Sequence, residues 1–245
     1  MTKETKQFAY WQKMAAVDPD MAVIDPRDHA GYKNSYICQI RDLAFARALS
    51  GIPLQSAVLD FGCGTGSSTK VLIQLGYTVK GVDIAPGLLE HAVKRCPEAE
   101  FQLSNGEQIP ADDESMAAVV TYVVLSYLVS AESVQATLTE MHRVLAAGGK
   151  LILIEQVRRQ TLIVEQGLKI QRSLQDWQQL LATAGFSQIR SKILRHGRFP
   201  TTPLIKLGLL PAKCWPWLMQ LEQQTAHRCG VFPGDYAEVL FEAIK

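Results

Sequence analysis

Residues 58–66 read VLDFGCGTG, an acidic residue and three alternate glycines placed where a strand gives way to a helix. Val58 and Leu59 close a short apolar run after the Ile52-Pro53 break, and residues 67–75 carry a helical pattern stopped by Gly76. Gly62, Gly64 and Gly66 let the backbone turn tightly and approach a ligand, with the free N–H groups of a helix N-terminus beside it.

The same alternation continues along the chain. Further strands are predicted at 78–83, 100–103, 117–124, 150–155, 186–194 and 236–244, and helices at 67–75, 88–95 and 132–145. Ser173 and Asp176 form a capping box for another helix that ends at Gly185. Strands separated by helices of this length imply an α/β fold: a Rossmann-like, seven-stranded, mostly parallel sheet with helices on both faces. The expectation is one domain over 1–245. A polar, aromatic stretch at 1–33 would form a flap, and Asn34 or Ser35 would cap a helix running to about Leu49. An insertion before the last strand, 195–234, carries Pro200, Pro203, Pro211, Pro216 and Pro233 and a helix over 217–229, and is the expected seat of chain-specific function.

The glycine loop excludes some ligands. No Lys-Ser or Lys-Thr follows it at P-loop spacing. A dinucleotide fingerprint would need a glycine at Ser67, and Asp60 would sit beside a pyrophosphate. A carboxylate there suits a cationic group, such as the ammonium or sulfonium of S-adenosylmethionine. Asp83 closes the second strand, where a carboxylate can accept both hydroxyls of a ribose.

With these motifs the chain resembles the class I S-adenosylmethionine-dependent methyltransferases, in the small-molecule group that includes the ubiquinone and menaquinone enzymes. The resemblance covers about 58–155. It implies S-adenosylmethionine as methyl donor, leaving S-adenosylhomocysteine, with Asp60, Gly62, Cys63, Gly64 and Gly66 passing its methionine portion. It also implies Asp83 on the ribose and Ile84 beside the adenine. Ser104-Asn105-Gly106-Glu107 stands where the family has a GDAE-like segment, so Asn105, Gly106 and Glu107 fall on the adenine, with an amide in place of the usual carboxylate. Residues 140–149, EMHRVLAAGG, resemble the family's helix-to-strand junction, a scaffold element in which His142 is structural.

Methyl transfer from a sulfonium is an in-line displacement whose thioether leaving group needs no acid, so positioning dominates and a base is needed only for a weak nucleophile. The ends of strands four and five face the methyl in this architecture, which brings in Thr121, Tyr122 and Tyr127. Candidate bases are His196, at a strand exit beside Arg195 and Arg198, then His29 and Glu155; a solvated loop residue is the commoner reading of each histidine. Tyr10 and Trp11 either cap the pocket or pack on Met14. The expected acceptor is a small molecule with an oxygen nucleophile, anionic or partly apolar. Neither the Asn-Pro-Pro-Tyr signature nor a Pro-Cys pair is present, which disfavours nucleic acid. Two other functions fit the same residues: a non-catalytic partner subunit, and transfer of another group from a related cofactor.

Charge enters through its distribution. The net charge is +1, but residues 1–149 hold 12 basic and 17 acidic side chains and the remainder 13 and 7, a mildly basic second half that suits an acidic substrate or merely a solvated surface. Cysteines at 38, 63, 96, 214 and 229 show no CxxC or Cys/His cluster, so free thiols and no metal are expected. The polar start lacks the apolar run of a signal peptide, and the most apolar window, 116–129, is too short for a membrane span. A cytoplasmic monomer or homodimer is the resulting expectation.

Overall fold

The computed structural model describes residues 6–16, 25, 27–106 and 108–245. Helix α1 (Lys6–Ala15) precedes α2 (Tyr32–Ala48). The alternating core follows as β1 (Ala57–Phe61), α3 (Ser67–Gln74), β2 (Thr78–Asp83), α4 (Pro86–Arg95), β3 (Glu100–Leu103), β4 (Met116–Tyr122), α5 (Ala131–Val144) and β5 (Leu145–Val157). Then come a small hairpin, β6 (Leu162–Val164) and β7 (Lys169–Gln171), helix α6 (Leu174–Thr183), β8 (Ser187–His196), α7 (Thr202–Lys206), α8 (Trp215–Cys229) and β9 (Ala237–Ile244).

Seven strands form one sheet in the order β3-β2-β1-β4-β5-β9-β8, parallel through β5 and antiparallel at β9. This is the expected fold. Its central strands are apolar on both faces because helices cover both, and two buried clusters result. One centres on Leu59, Leu138, Leu153, Trp177 and Phe241, the other on Phe45, Val58, Leu72, Ile152 and Trp215. The order reverses between β1 and β4, so a crevice opens at the strand C-termini, where ligands bind in open α/β sheets.

Local chemistry departs from the sequence expectations at several joints. Neither Asn34 nor Ser35 caps α2: Gly31 holds the N-cap at φ 73° with no side-chain cap, and the buried Asp28 carboxylate accepts the Asn34 N–H at 2.8 Å. Strand β5 starts directly at the end of α5 instead of at Lys150, because Leu145 already pairs with Met116 across a bulge. The capping box forms as expected, with Ser173 and Asp176 exchanging bonds at the start of α6. The β6–β7 hairpin has no counterpart in the sequence reading; it turns through Glu165, Gln166 and Gly167, all at positive φ.

All five cysteines are free thiols. Among the described residues no group of side chains could hold a metal ion, and no helix is long and apolar enough to cross a membrane. The parts of the 1–33 segment at 1–5, 17–24 and 26, and Glu107, lie outside the described residues.

Candidate active site

At the C-terminal ends of β1, β2, β4 and β5 lies a cleft that opens to solvent. Its floor at one end is the glycine loop. The N–H groups of Gly62 and Cys63 both donate to the Val82 carbonyl, at 2.8 and 3.0 Å, and the Gly66 N–H donates to the Cys63 carbonyl at 2.9 Å. These bonds need φ of 73° at Gly62, 54° at Gly64 and 77° at Gly66. A Cβ on Gly62 would lie 2.3 Å from Val124 Cγ2. Gly62→Ala is therefore expected to destabilise the fold by about 2–3 kcal/mol through overpacking and a left-handed backbone, measured as a shift in the urea midpoint.

Asp83 closes this end of the cleft. Its Oδ2 accepts the Gly64 N–H and its Oδ1 the Ala85 N–H, both at 2.9 Å, and the Ile84 N–H also acts on the carboxylate, which leaves acceptor capacity for a ligand hydroxyl. Burial raises its pKa, with the nearby Asp60 charge acting in the same direction and backbone N–H bonds opposing both. Ile84, Leu88, Ser104 and Gly106 continue the wall.

Asp60 lies beneath the loop and does not line the cleft. It is 2 % exposed, and its Oδ2 accepts the hydroxyls of Ser68 at 2.7 Å and Thr69 at 2.6 Å, tying the end of β1 to the first turn of α3. Cys63 is buried beside it, with burial pushing the thiol pKa well up. Gly66 is also outside the lining; its α-carbon faces Ala92 of α4. Asn105 turns its Oδ1 to the Gln108 N–H at 3.0 Å.

The other end of the cleft is aromatic. Tyr122 ends β4, and Val123, left-handed at φ 54°, turns the chain so that Val124 and Tyr127 face inward. A β-branched residue in that region stores strain of about 1–3 kcal/mol. The Val123 N–H is fixed on the Ile154 carbonyl at 2.7 Å. Trp11 of α1 meets Tyr127 edge-on at 5.1 Å between ring centroids, and Tyr10 stacks on Tyr127 at 6.4 Å. The amino-terminal helix thus closes one side of the cleft. Thr121 is fully buried behind Tyr122, its Oγ1 without a hydrogen-bond partner among the described residues.

Of the candidate catalytic residues His196, His29, Glu155 and Tyr127, only Tyr127 lines the cleft. His29 is exposed at the surface outside it. His196 is fully buried: its Nε2 lies 2.9 Å from the Gly230 carbonyl and its ring stacks on Phe232 at 4.0 Å. Glu155 is buried as well, accepting the Leu125 N–H at 2.7 Å, the Ser126 N–H at 3.3 Å and the Ser126 hydroxyl. Nor do residues 195–234 appear among those lining the cleft; Ile205, Trp215, Leu218 and Met219 instead pack into the core.

Polar lining residues outside the sequence candidates include Gln156 at the end of β5, Lys169 on β7, and Tyr236 and Glu238 at the start of β9. The only local signal for Lys169 is an apolar triplet, 162–164, followed by Gly167. Glu238 belongs to a buried network. Its Oε1 accepts Arg195 Nη1 at 2.9 Å and its Oε2 the Tyr122 hydroxyl at 3.3 Å, while Glu222 on α8 accepts the His196 N–H at 2.7 Å and the Tyr36 hydroxyl at 3.3 Å.

Burial raises the Glu222 carboxyl pKa to about 7, with Arg195 pulling the other way. Because the folded value lies above the unfolded 4.5, the contribution of Glu222 to stability is full below about pH 4.5 and is lost as pH rises through about 7. Glu222→Gln, which keeps the acceptor oxygen, is expected to flatten that part of the stability profile in urea titrations taken on both sides of pH 7.

Residues 59–153 match a family model described as "Methyltransferase domain". The chain is 32% identical over 128 residues to the demethylmenaquinone methyltransferase of Tropheryma whipplei (strain Twist), covering 50% of this chain and 52% of that one. It is 31% identical over 151 residues to an uncharacterized methyltransferase of Synechocystis sp., covering 57% and 71%. It thus spans about half the length of the first of these relatives and over two thirds of the second. Haemonchus contortus phosphoethanolamine N-methyltransferase 2, solved with phosphomonomethylethanolamine and S-adenosylhomocysteine, shares the fold at a TM-score of 0.64 and 16% identity, over 84% of this chain and 52% of that one. With the glycine loop, the strand order and these matches together, the chain belongs to the class I S-adenosylmethionine-dependent methyltransferase family.

Proposed function

We propose that this protein transfers the methyl group of S-adenosylmethionine to an oxygen nucleophile on a small molecule. The observation that carries this is Asp83: a carboxylate at the end of β2, held by backbone N–H groups, with acceptor capacity left at the cleft wall. That pair of acceptor oxygens fits a ribose diol. In this assignment Gly62 and Gly64 run beside the methionine portion, Ile84, Leu88, Ser104 and Gly106 enclose the adenine, and Asn105 lies at its edge. Asp60 and Gly66 act by shaping the loop.

When bound, S-adenosylmethionine supplies an electrophilic methyl on a sulfonium. The chain's own part is then to orient and to exclude water. Tyr122, Val124, Tyr127 and Trp11 bring apolar and aromatic surface to the far end, where desolvation sharpens a nucleophile and keeps water from competing. His196 and His29 are not assigned a part in this chemistry, and Tyr127 serves as wall. The decisive experiment incubates purified protein with methyl-labelled S-adenosylmethionine and a small-molecule cell extract. Label is expected in a methyl ether or ester; label on nitrogen or carbon only, or none from a protein that binds the cofactor, overturns the proposal.

A further inference from the structure

Lys169 reaches the cleft from β7 and is 4 % exposed. Its ammonium stands 4.8 Å from the centroid of the Tyr127 ring and meets no hydrogen-bond acceptor or ion-pair partner among the described residues. The side chain is largely buried while its ammonium faces the cleft, and a cation–π contact replaces only part of the hydration that burial removes. The carboxylates that act on it are committed elsewhere or solvated: Glu155 to Leu125 and Ser126, Glu238 to Arg195 and Tyr122, and Glu165 on an exposed turn. Burial accordingly lowers the Lys169 pKa, with those three charges opposing.

Its position puts it at the acceptor end. Lys169 shares the cleft wall with Tyr127 and Gln156, beyond the ends of β4 and β5, whereas Asp83 and the glycine loop occupy the ends of β1 and β2. Other nearby cations are spent. Lys33 pairs with Asp25 at 2.8 Å, Arg172 donates to the Leu125 and Leu128 carbonyls, and Arg41 is held by Asp42 and Ser67. Carboxylates and phosphates are commonly held by a bidentate guanidinium; a lone ammonium suits an anion concentrated on one oxygen. Tyr122, Tyr127, Trp11 and Tyr236 give that oxygen flat neighbours.

We propose that Lys169 binds the methyl acceptor as the oxyanion of an acidic hydroxyl, a phenol or enol on a planar skeleton, an assignment that rests on the methyl-transfer function above. The hydroxyl proton leaves to solvent as the anion settles against the ammonium. A lone pair on the oxygen then forms the O–CH₃ bond while the S–CH₃ bond breaks and its electron pair returns to sulfur. Anion and sulfonium become ether and thioether, both uncharged, and Lys169 keeps its proton throughout.

The test titrates protein saturated with S-adenosylhomocysteine with 4-nitrophenol, at a pH where it is ionised, and with the neutral 4-nitroanisole. Wild type is expected to bind the phenolate about tenfold or more tighter than the ether, a preference that Lys169→Met removes and Lys169→Arg partly restores. S-adenosylhomocysteine affinity should be unchanged in both variants, which also reports that they fold. Equal binding of the two probes by wild type, no binding of the phenolate, or a preference that survives in Lys169→Met overturns the assignment. Failure of wild type to bind S-adenosylhomocysteine overturns the methyl-transfer function itself, so the two failures are told apart.

Discussion

Asp83→Ala is expected to weaken S-adenosylhomocysteine binding by about a hundredfold or more, since two charge-assisted hydrogen bonds to a ribose contribute about 1.5–3 kcal/mol each. The substitution also frees the Gly64 and Ala85 N–H groups that the carboxylate now accepts, so the glycine loop loses an anchor as well as the ligand its partner. Asp83→Asn separates the two effects. It keeps one acceptor oxygen but presents an amide donor where Oδ1 or Oδ2 accepts, and should fall between wild type and the alanine variant in calorimetric titration. An alanine variant that binds within threefold of wild type, while its loop stays intact by hydrogen exchange, removes Asp83 from the ribose.

Arg195→Ala is expected to cost about 3–5 kcal/mol of stability, the range for breaking a buried ion pair by deleting one partner. Arg195 is fully buried, with Nη1 2.9 Å from Glu238 Oε1, and its charge also acts on Glu222. Removing it strands two buried carboxylates, one of which positions the Tyr122 hydroxyl in the cleft wall. Replacing both partners, as in Arg195→Met with Glu238→Leu, should recover much of the loss, because the desolvation of both charges is then avoided. Urea denaturation of the two single variants and the double variant measures this. A single variant as stable as wild type would mean that the pair does not hold the β8–β9 edge.

What was legible in the sequence is what local chemistry determines. The strands around 58–61, 78–83 and 100–103 stand close to their expected bounds, because glycine and proline punctuate each β/α joint and the apolar runs are long enough to show a period. Asp83 could be read for the same reason, as the last residue of a well-marked strand. Lys169 could not: three-residue strands carry no usable period, and nothing in sequence places β7 beside Tyr127. Tyr236 and Glu238 reach the cleft only through the antiparallel pairing of β9 with β5, a contact across about eighty residues of chain. His196 shows the opposite failure. Its arginine neighbours suggest a solvated strand exit, but α8 covers that edge and Glu222 takes the His196 N–H, so Arg195 and His196 end up inside while Arg198 stays exposed.

The most direct test of the account is the structure of this protein grown with S-adenosylhomocysteine. The ribose hydroxyls should lie within hydrogen-bond distance of the two Asp83 oxygens, the methionine portion along Gly62 and Gly64, and the sulfur should face Tyr122 and Tyr127. A cleft that remains empty at millimolar ligand, or a ligand bound with its ribose away from Asp83, contradicts it.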